Sequence, residues 1–219
     1  MRSPSRLRGS IAPSSMRMML AFLAASVISM VPVTAADLPD GVKPGDIAPN
    51  FILNNVDGKR VGLASYLDAK GVILVFTCNH CPYSVKYEDR IIALHKAFGP
   101  KGFPVLAINP NDTVVSPEDS FAKMQERAQE KSFPFPYLFD ADQNVAKAYG
   151  ARRTPHVFLL KRTPKHFIVE YIGAIDDNPN DANAVDEKFV EKAIAELVDG
   201  KPVTTQTTKA IGCTIKWKK

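Results

Sequence analysis

The chain has 219 residues, of which 45% are apolar and 23% are charged, and it contains three cysteines. This length and composition are typical of one globular domain with short appendages, and they exclude a largely disordered chain. The formal net charge is +5, but removing the four arginines of the first 17 residues leaves 24 basic against 23 acidic residues. Such a balance argues against a nucleic-acid-binding protein, which needs a clustered basic face.

Residues 1–35 are typical of a secretory signal peptide. They carry four arginines, and no acidic residue precedes Asp37. An apolar stretch then leads into the small residues Val33-Thr34-Ala35, a typical cleavage signature. The stretch is shorter than the roughly 20 apolar residues of a membrane span. We therefore expect cleavage near Ala35 or Ala36 and an exported protein, periplasmic or secreted, with no stable membrane span. A retained anchor or an organellar transit peptide is the alternative.

The first predicted elements after the signal peptide form a hairpin. Residues 36–50 are rich in Pro, Gly and Asp, as in an extended leading segment. Residues 51–53 and 60–63 then flank an Asp-Gly turn, which predicts two antiparallel strands. Residues 71–77 follow as a continuous apolar run, which predicts a strand buried on both faces.

Helices and strands alternate in the next part of the chain. Apolar residues recur at steps of three and four up to the Gly99-Pro100 stop, which predicts a helix. Residues 103–108 predict a second buried strand. Ser116 and Pro117 then predict the cap and first turn of another helix. The buried face of this helix is formed by Phe121, Met124 and Ala128.

The remaining elements complete an α/β pattern. Residues 135–139 predict a short strand, and Asp142 predicts the cap of a brief helix that ends at Gly150. Two further strands and a last helix follow, at residues 156–160, residues 167–172, and from Asp181 or Asn183 to Gly200. This order predicts a central mixed β-sheet flanked by helices, with an N-terminal hairpin extension. The domain is predicted over residues 51–200, and residues 201–219 form a tail without clear periodicity.

Cys78 and Cys81 lie where the predicted buried strand gives way to a helix. The first turn of a helix offers unpaired N–H groups and a positive dipole end, so a thiolate there is stabilised. In such Cys-x-x-Cys settings the thiol pKa falls from about 8.5 to roughly 3.5–7.5. We expect Cys78 to attack disulfides and Cys81 to resolve the mixed disulfide.

The two residues between the cysteines are expected to tune this pair. A partly charged imidazole at His80 favours the thiolate and makes the pair more oxidising. The Asn79-His80 dipeptide thus indicates an oxidising or isomerising role. The alternative is an exposed His80 with little effect.

A structural disulfide and half of a zinc site are the other interpretations of the pair. So short a loop removes little entropy from the unfolded chain. A structural zinc ion needs four N or S ligands, and the sequence has no second closely spaced pair. Cys213 and His156 would complete a set only if folding brought them there. We therefore expect no metal and no organic cofactor, since electrons pass between cysteines.

Three segments carry a resemblance to thioredoxin-fold redoxins of the AhpC/TSA type. They are residues 45–51 (GDIAPNF), 75–82 (VFTCNHCP) and 153–158 (RTPHVF). This branch includes TlpA-like exported thiol-disulfide oxidoreductases and, more distantly, peroxiredoxins. A Cys-x-x-Cys alone is moderately specific, but an apolar strand before it and a Thr-Pro after it make the resemblance strong. The match covers roughly residues 42–198.

The resemblance implies a function, partners and two further site residues. It implies a thioredoxin-like fold that reduces, oxidises or isomerises disulfides in protein substrates and exchanges electrons with a redox partner protein. It also implies that Pro155 is a cis-proline facing the dithiol. In the family, the residue in the position of Thr154 keeps its backbone open for pairing with an extended substrate peptide.

The sequence departs from thioredoxin itself at two positions. Thr77 stands where thioredoxin has Trp, and Val72 stands where it has a buried Asp. The usual proton acceptor is therefore missing, unless Glu88 or a water molecule takes its place.

A peroxiredoxin-like, antioxidant thiol peroxidase is the first alternative function. Cys78 and Cys81 would then be the peroxidatic and resolving thiols, and Arg152 or Arg153 would polarise the hydroperoxide. The peroxiredoxin motif is incomplete, however, because Cys78 replaces its Thr or Ser when Cys81 is aligned with the peroxidatic cysteine.

Cys213, in the tail, is either a further resolving thiol or an inert, packed side chain. Three cysteines cannot all pair with one another, and an unpaired thiol in an exported protein is unusual enough to need an explanation. Two further alternatives remain for the whole protein: a Cu(I)-handling protein using the thiols with His156 or His80, and a non-enzymatic binding domain with a fixed disulfide. Peroxide consumption, metal stoichiometry and reducibility distinguish these functions.

Overall fold

A seven-stranded mixed sheet forms the centre of the fold, in the order β2-β1-β5-β4-β3-β7-β8. The computed structural model describes residues 41–219, and the predicted signal peptide lies outside them. β3, β4 and β5 are parallel, whereas β1, β7 and β8 join antiparallel to their neighbours. The seven strands are β1 Ile52–Asn55, β2 Arg60–Gly62, β3 Gly71–Phe76, β4 Val105–Asn109, β5 Tyr137–Phe139, β7 His156–Arg162 and β8 Phe167–Gly173.

Two short strands, β6 (Arg153–Thr154) and β9 (Cys213–Thr214), form a separate antiparallel pair. The α-helices are α1 Pro82–Phe98, α2 Phe121–Glu130, α3 Asn144–Tyr149 and α4 Phe189–Val198. Four 3₁₀ turns complete the described elements, at Leu63–Tyr66, Gly99–Lys101, Pro117–Asp119 and Ala182–Ala184. The predicted thioredoxin-like α/β fold with an N-terminal hairpin is confirmed.

The side chains of β3, the central strand, alternate between the two faces of the sheet, and each face carries a hydrophobic core. All six residues of β3 are buried. Ile73 and Val75 lie in the core that α1, α2 and α4 cover, and Val72, Leu74 and Phe76 lie in the core that α3 covers. Because both faces are buried, β3 reads as a continuous apolar run, and its end is held firmly in place.

Three helix starts differ from the sequence prediction. The carboxylate of Asp140, not of exposed Asp142, accepts the backbone N–H groups of Val145 and Ala146 at the start of α3. Asp181 caps only the short 3₁₀ turn by accepting from the Asn183 N–H, and α4 starts later. Ser116 precedes a 3₁₀ turn, and α2 begins after Ser120, whose extended backbone separates the two elements.

The C-terminal tail packs against the domain, although its sequence shows no hydrophobic periodicity. Ile215 is buried in the core that α3 covers. The carbonyl oxygen of Lys216 accepts the backbone N–H of Asp112, and the Lys216 N–H donates to the side chain of Asn111. These contacts bring Cys213 to the end of the sheet that carries the other two cysteines. Within residues 41–219, no helix combines the length and apolarity needed to cross a membrane.

Candidate active site

Cys78 and Cys81 follow β3 at the carboxyl edge of the sheet and are 3% and 1% exposed. Pro82 is the first residue of α1, so Cys81 is its N-cap. The unpaired N–H groups and positive dipole end of a helix act within about its first turn. They therefore act on Cys81, whereas the sequence analysis expected this effect at Cys78.

The Thr154–Pro155 peptide bond is cis, as predicted. Thr154 is fully buried and contacts both thiols. Its hydroxyl lies 3.3 Å from the Cys78 Sγ, and its carbonyl oxygen lies 3.2 Å from the Cys81 Sγ. The structure thus brings four predicted site residues together: Cys78, Cys81, Thr154 and Pro155.

The third cysteine belongs to the same site. β9 pairs with β6, and this pairing sets Cys213 opposite Thr154. The Cys213 Sγ lies 2.6 Å from the Cys81 Sγ. All three cysteines are free thiols in the structure. This pair is close enough to form a disulfide bond, which is about 2.05 Å long, once an oxidant accepts two electrons from the thiols.

Gly212 allows this close approach of the tail. A Cβ atom at this position would lie 2.2 Å from the carbonyl oxygen of Thr154, a backbone atom that cannot move aside easily. The Arg153 guanidinium donates to the carbonyl oxygen of Gly212 at 2.8 Å. Arg153, which the sequence analysis weighed as a peroxide-polarising residue, therefore binds the tail.

The three thiols differ in acidity. The pKa of Cys81 is lowered, first by a hydrogen bond from the Cys78 thiol, against the effect of burial, and further by the Cys213 thiol. The pKa of Cys78 is raised by this pairing with Cys81, by burial and by the negative charge of Asp119. Burial and the neighbouring Cys81 raise the pKa of Cys213. These directions favour Cys81, over Cys78 and Cys213, as the thiol that ionises first.

His80 lies at the surface beside a buried carboxylate. The His80 Nδ1 lies 2.7 Å from the Asp119 Oδ2, and 38% of the His80 side chain is exposed. Asp119 is fully buried and also accepts from the Asn79 backbone N–H, from the Asn111 amide and from the Ser116 hydroxyl. Asp119, which lies 39 residues further along the chain, therefore sets the position of His80.

Glu88, which the sequence analysis considered as a substitute proton acceptor, is committed to an ion pair. Its two carboxylate oxygens accept from Arg127 at 2.8 and 2.7 Å. It lines a cavity of about 10 Å³ next to Cys78, together with Asn79 and Tyr137. This volume holds about one water molecule at most.

The described residues place one potential metal-binding group at the site. Cys78, His80 and Asp119 each bring one ligand atom to within 4.8 Å of the others. The Asp119 carboxylate already accepts four hydrogen bonds, so a metal ion would have to displace some of these donors. The geometry favours hydrogen bonding within this group over metal ligation.

His156, the other imidazole considered for Cu(I), is not part of this group. Burial, with help from the charges of Arg153 and Arg152, lowers its pKa to about 4. Its ring packs against Phe158, with 4.7 Å between the ring centroids. Its Nδ1 has no hydrogen-bond partner among residues 41–219. It is therefore a neutral side chain at ordinary pH.

Asp119, Asn111 and Ser116 are site residues that the sequence analysis missed. Ser116 and Asp119 were interpreted as the start of a helix, an interpretation that explained both polar side chains locally. The structure instead uses them to hold His80 and the Cys78–Cys81 loop. The available signal was a Ser-Pro-Glu-Asp run in the segment that follows a buried strand, at the same sheet edge as the cysteines.

The sequence and the fold have counterparts among known proteins. Thiol-disulfide oxidoreductase ResA of Bacillus subtilis (strain 168) is 29% identical over 121 residues, which are 55% of this chain and 63% of that relative. The match thus spans slightly less than two thirds of the relative. A solved structure of an uncharacterized conserved protein from Geobacillus kaustophilus is 39% identical, with a TM-score of 0.72 over 80% of this chain and 92% of that one. A solved structure of a hypothetical protein from Sinorhizobium meliloti 1021 is 32% identical, with a TM-score of 0.74 over 81% of this chain and 96% of that one.

The central part of the sequence matches the family described as AhpC/TSA. The match to the family extends over residues 44–177, more than half of the chain, and includes Cys78, Cys81 and Thr154. The chain belongs to the AhpC/TSA family.

Proposed function

We propose that the protein is an exported thiol-disulfide oxidoreductase in which Cys81 is the attacking thiolate and Cys78 and Cys213 resolve. The observation that carries the proposal is the convergence of three sulfur atoms at the cis Thr154–Pro155 bond, with Cys81 in contact with Cys213. The similarity to a relative named thiol-disulfide oxidoreductase supports this activity. A lowered pKa makes a cysteine the attacking species because the thiolate is the nucleophile.

The proposed reaction takes place in two exchanges. In the first, the Cys81 thiolate attacks one sulfur of a substrate disulfide, a mixed disulfide forms, and the other substrate sulfur leaves as a thiolate. In the second, Cys78 or Cys213 loses its proton and attacks the Cys81 sulfur, and the bound substrate sulfur leaves and is protonated. The substrate disulfide is reduced to two thiols, and a protein disulfide is formed. Run backwards, the same steps oxidise a substrate dithiol.

The tail changes how a protein substrate would enter. The resemblance implies that an extended peptide pairs with the backbone at Thr154, but β9 of the chain itself pairs there. We infer that a protein substrate displaces the Gly212–Thr214 segment, and that Cys213 returns with the tail to resolve the mixed disulfide. The hydrogen bonds at Lys216 anchor the tail beyond this segment, so its return is local.

Export rests on the sequence of residues 1–35, with its arginines, apolar stretch and small-residue cleavage signature. Disulfide exchange fits an oxidising compartment, where disulfides persist. We propose a periplasmic or secreted mature protein whose partners are thiol or disulfide proteins.

The proposal is tested with a disulfide-linked fluorescent peptide and with a small protein containing one disulfide. The chain is expected to speed exchange between each substrate and glutathione. Hydrogen peroxide consumption is followed in parallel with dithiothreitol as reductant. Turnover of disulfides without comparable peroxide turnover supports the oxidoreductase. Peroxide turnover without disulfide exchange would replace it with the peroxidase, and neither activity would contradict both.

A further inference from the structure

Asp119 is a buried carboxylate that contacts the Cys-x-x-Cys loop. It ends the Pro117–Asp119 turn, is fully buried, and accepts four hydrogen bonds of 2.7 to 2.9 Å. Burying a charged group is costly unless its hydrogen bonds are satisfied. Two of the donors, the Asn79 backbone and His80, belong to the Cys-x-x-Cys loop itself. The carboxylate is thus built into the support of the reacting cysteines.

This contact fixes which nitrogen of His80 carries the hydrogen. A carboxylate only accepts hydrogen bonds, so the His80 Nδ1 donates to Asp119. The Ser116 hydroxyl donates to the same carboxylate oxygen at 2.9 Å, and its oxygen lies 3.1 Å from the Nδ1. In the neutral ring the Nε2 then holds the free lone pair, on a side chain that is 38% exposed.

Cys78 is the thiol that needs a proton acceptor. It must lose its proton before it attacks the Cys81 sulfur, and it lies in a buried position. Val72 offers no acidic group beneath it, and Glu88 is held by Arg127. One His80 ring nitrogen lies within 4.8 Å of the Cys78 Sγ. That separation is bridged by one water molecule or by a small shift of the ring, both ordinary for general bases in unliganded sites.

We propose that His80 is the general base for the Cys78 thiol and that Asp119 is the positioning residue that orients His80. This inference rests on the proposed oxidoreductase function. As Cys78 attacks the mixed disulfide, its proton passes to the unprotonated ring nitrogen of His80, through one water molecule or after a small turn of the ring. The Cys78–Cys81 bond forms, the Cys81–substrate bond breaks, and the departing substrate thiolate takes up a proton. In the reverse direction, the imidazolium returns the proton to Cys78.

Most other charged groups near His80 are paired within the described structure, and Glu118 is the exception. The groove beside it is lined by Glu118, Lys123, Glu126, Arg127 and Glu130. Lys123 binds Glu126, and Arg127 binds both Glu130 and Glu88. Asp119, Cys78 and Glu118 are the remaining ionisable groups beside the ring. A change of the pH dependence in a His80 variant therefore reports on the proposed base.

The test is made in the full chain carrying Cys213→Ser, so that only Cys78 resolves. A disulfide-linked fluorescent peptide releases one thiol in the first exchange and the second thiol in the resolution step. His80→Asn is expected to slow the second release by roughly 10²-fold or more, the usual contribution of a general base. The first release is expected to change little. The second release should also lose one ionisation from its pH profile.

Asp119→Asn is expected to slow the second release in the same way, and to add little further loss when combined with His80→Asn. Asp142→Asn, which changes an exposed carboxylate, serves as the matched control and is expected to behave like the parent. If Asp119→Asn does not fold, Ser116→Ala takes its place and His80→Asn decides the role of the base.

Unchanged second release and an unchanged pH profile in His80→Asn would overturn the proposal. A loss in the double variant well beyond that of His80→Asn alone would mean that Asp119 acts separately and would overturn its positioning role. Failure of the parent to release even the first thiol would instead overturn the oxidoreductase function, so the two failures are distinguishable.

Discussion

Cys81→Ser is expected to reduce disulfide exchange to the uncatalysed rate. Cys81 is the N-cap of α1, and its thiolate is stabilised by the Cys78 and Cys213 thiols. A serine hydroxyl forms no mixed disulfide, so no first exchange takes place. Cys78→Ser and Cys213→Ser are each expected to retain the first exchange, because the attacking sulfur remains. The measurement is the first thiol released from a disulfide-linked fluorescent peptide in a single turnover.

A matched pair of variants with one cysteine each sharpens this result. The chain carrying Cys78→Ser and Cys213→Ser keeps Cys81 alone and should form a stable mixed disulfide. The chain carrying Cys81→Ser and Cys213→Ser keeps Cys78 alone and should react far more slowly, because its pKa is raised by burial even without Cys81. If the Cys78-only chain reacted faster, Cys78 would be the nucleophile, as the sequence alone indicates.

Gly212→Ala is expected to loosen the tail from the site. The added Cβ meets the carbonyl oxygen of Thr154 at 2.2 Å, and overpacking of this kind typically costs about 1–3 kcal/mol. At about 1.4 kcal/mol per factor of ten, the fraction of molecules with Cys213 at Cys81 falls by roughly 5- to 140-fold if the cost falls on docking. The rate of Cys81–Cys213 disulfide formation, measured by thiol trapping and peptide mapping, should fall with it.

Gly99→Ala is the matched control for that substitution. A Cβ at Gly99 meets only ordinary contacts at 3.5 Å or more, with the ring of His95. It should leave disulfide formation at the parental rate. A Gly212→Ala chain that formed the Cys81–Cys213 disulfide as fast as the parent would show that tail docking does not control this thiol pair.

The sequence predicts those parts of the fold whose signals are local. β3 is a buried apolar run that ends at Cys78, and the helix after it has a clear apolar face. The two cysteines follow from a short motif, and the cis Thr154–Pro155 bond follows from the resemblance to thioredoxin-fold redoxins. The sequence also places Cys213 among the candidate thiols, because an odd cysteine in an exported chain needs an explanation.

The missed features depend on contacts between distant parts of the chain. Asp119 holds His80 from 39 residues away, and its local context favoured a helix start. β9 is only two residues long, so no alternation marks it, and its pairing with β6 joins segments about 60 residues apart. The sequence places the helix start at Cys78, whereas the structure makes Cys81 the N-cap of α1, because the pattern does not show whether the helix starts before or after Cys81.

The measurement that tests the central claim most directly is the reduction potential of the three-cysteine site. The chain is equilibrated in glutathione buffers, its thiols are trapped, and the disulfide formed is identified by peptide mapping, with Cys213→Ser alongside. We predict a reversible two-electron transition between roughly −120 and −270 mV that involves Cys81, and a shifted potential in Cys213→Ser. Values near −120 to −180 mV would indicate an oxidase or isomerase, and values near −270 mV a reductase. A disulfide that stays oxidised below about −300 mV would be a structural staple and would contradict the account.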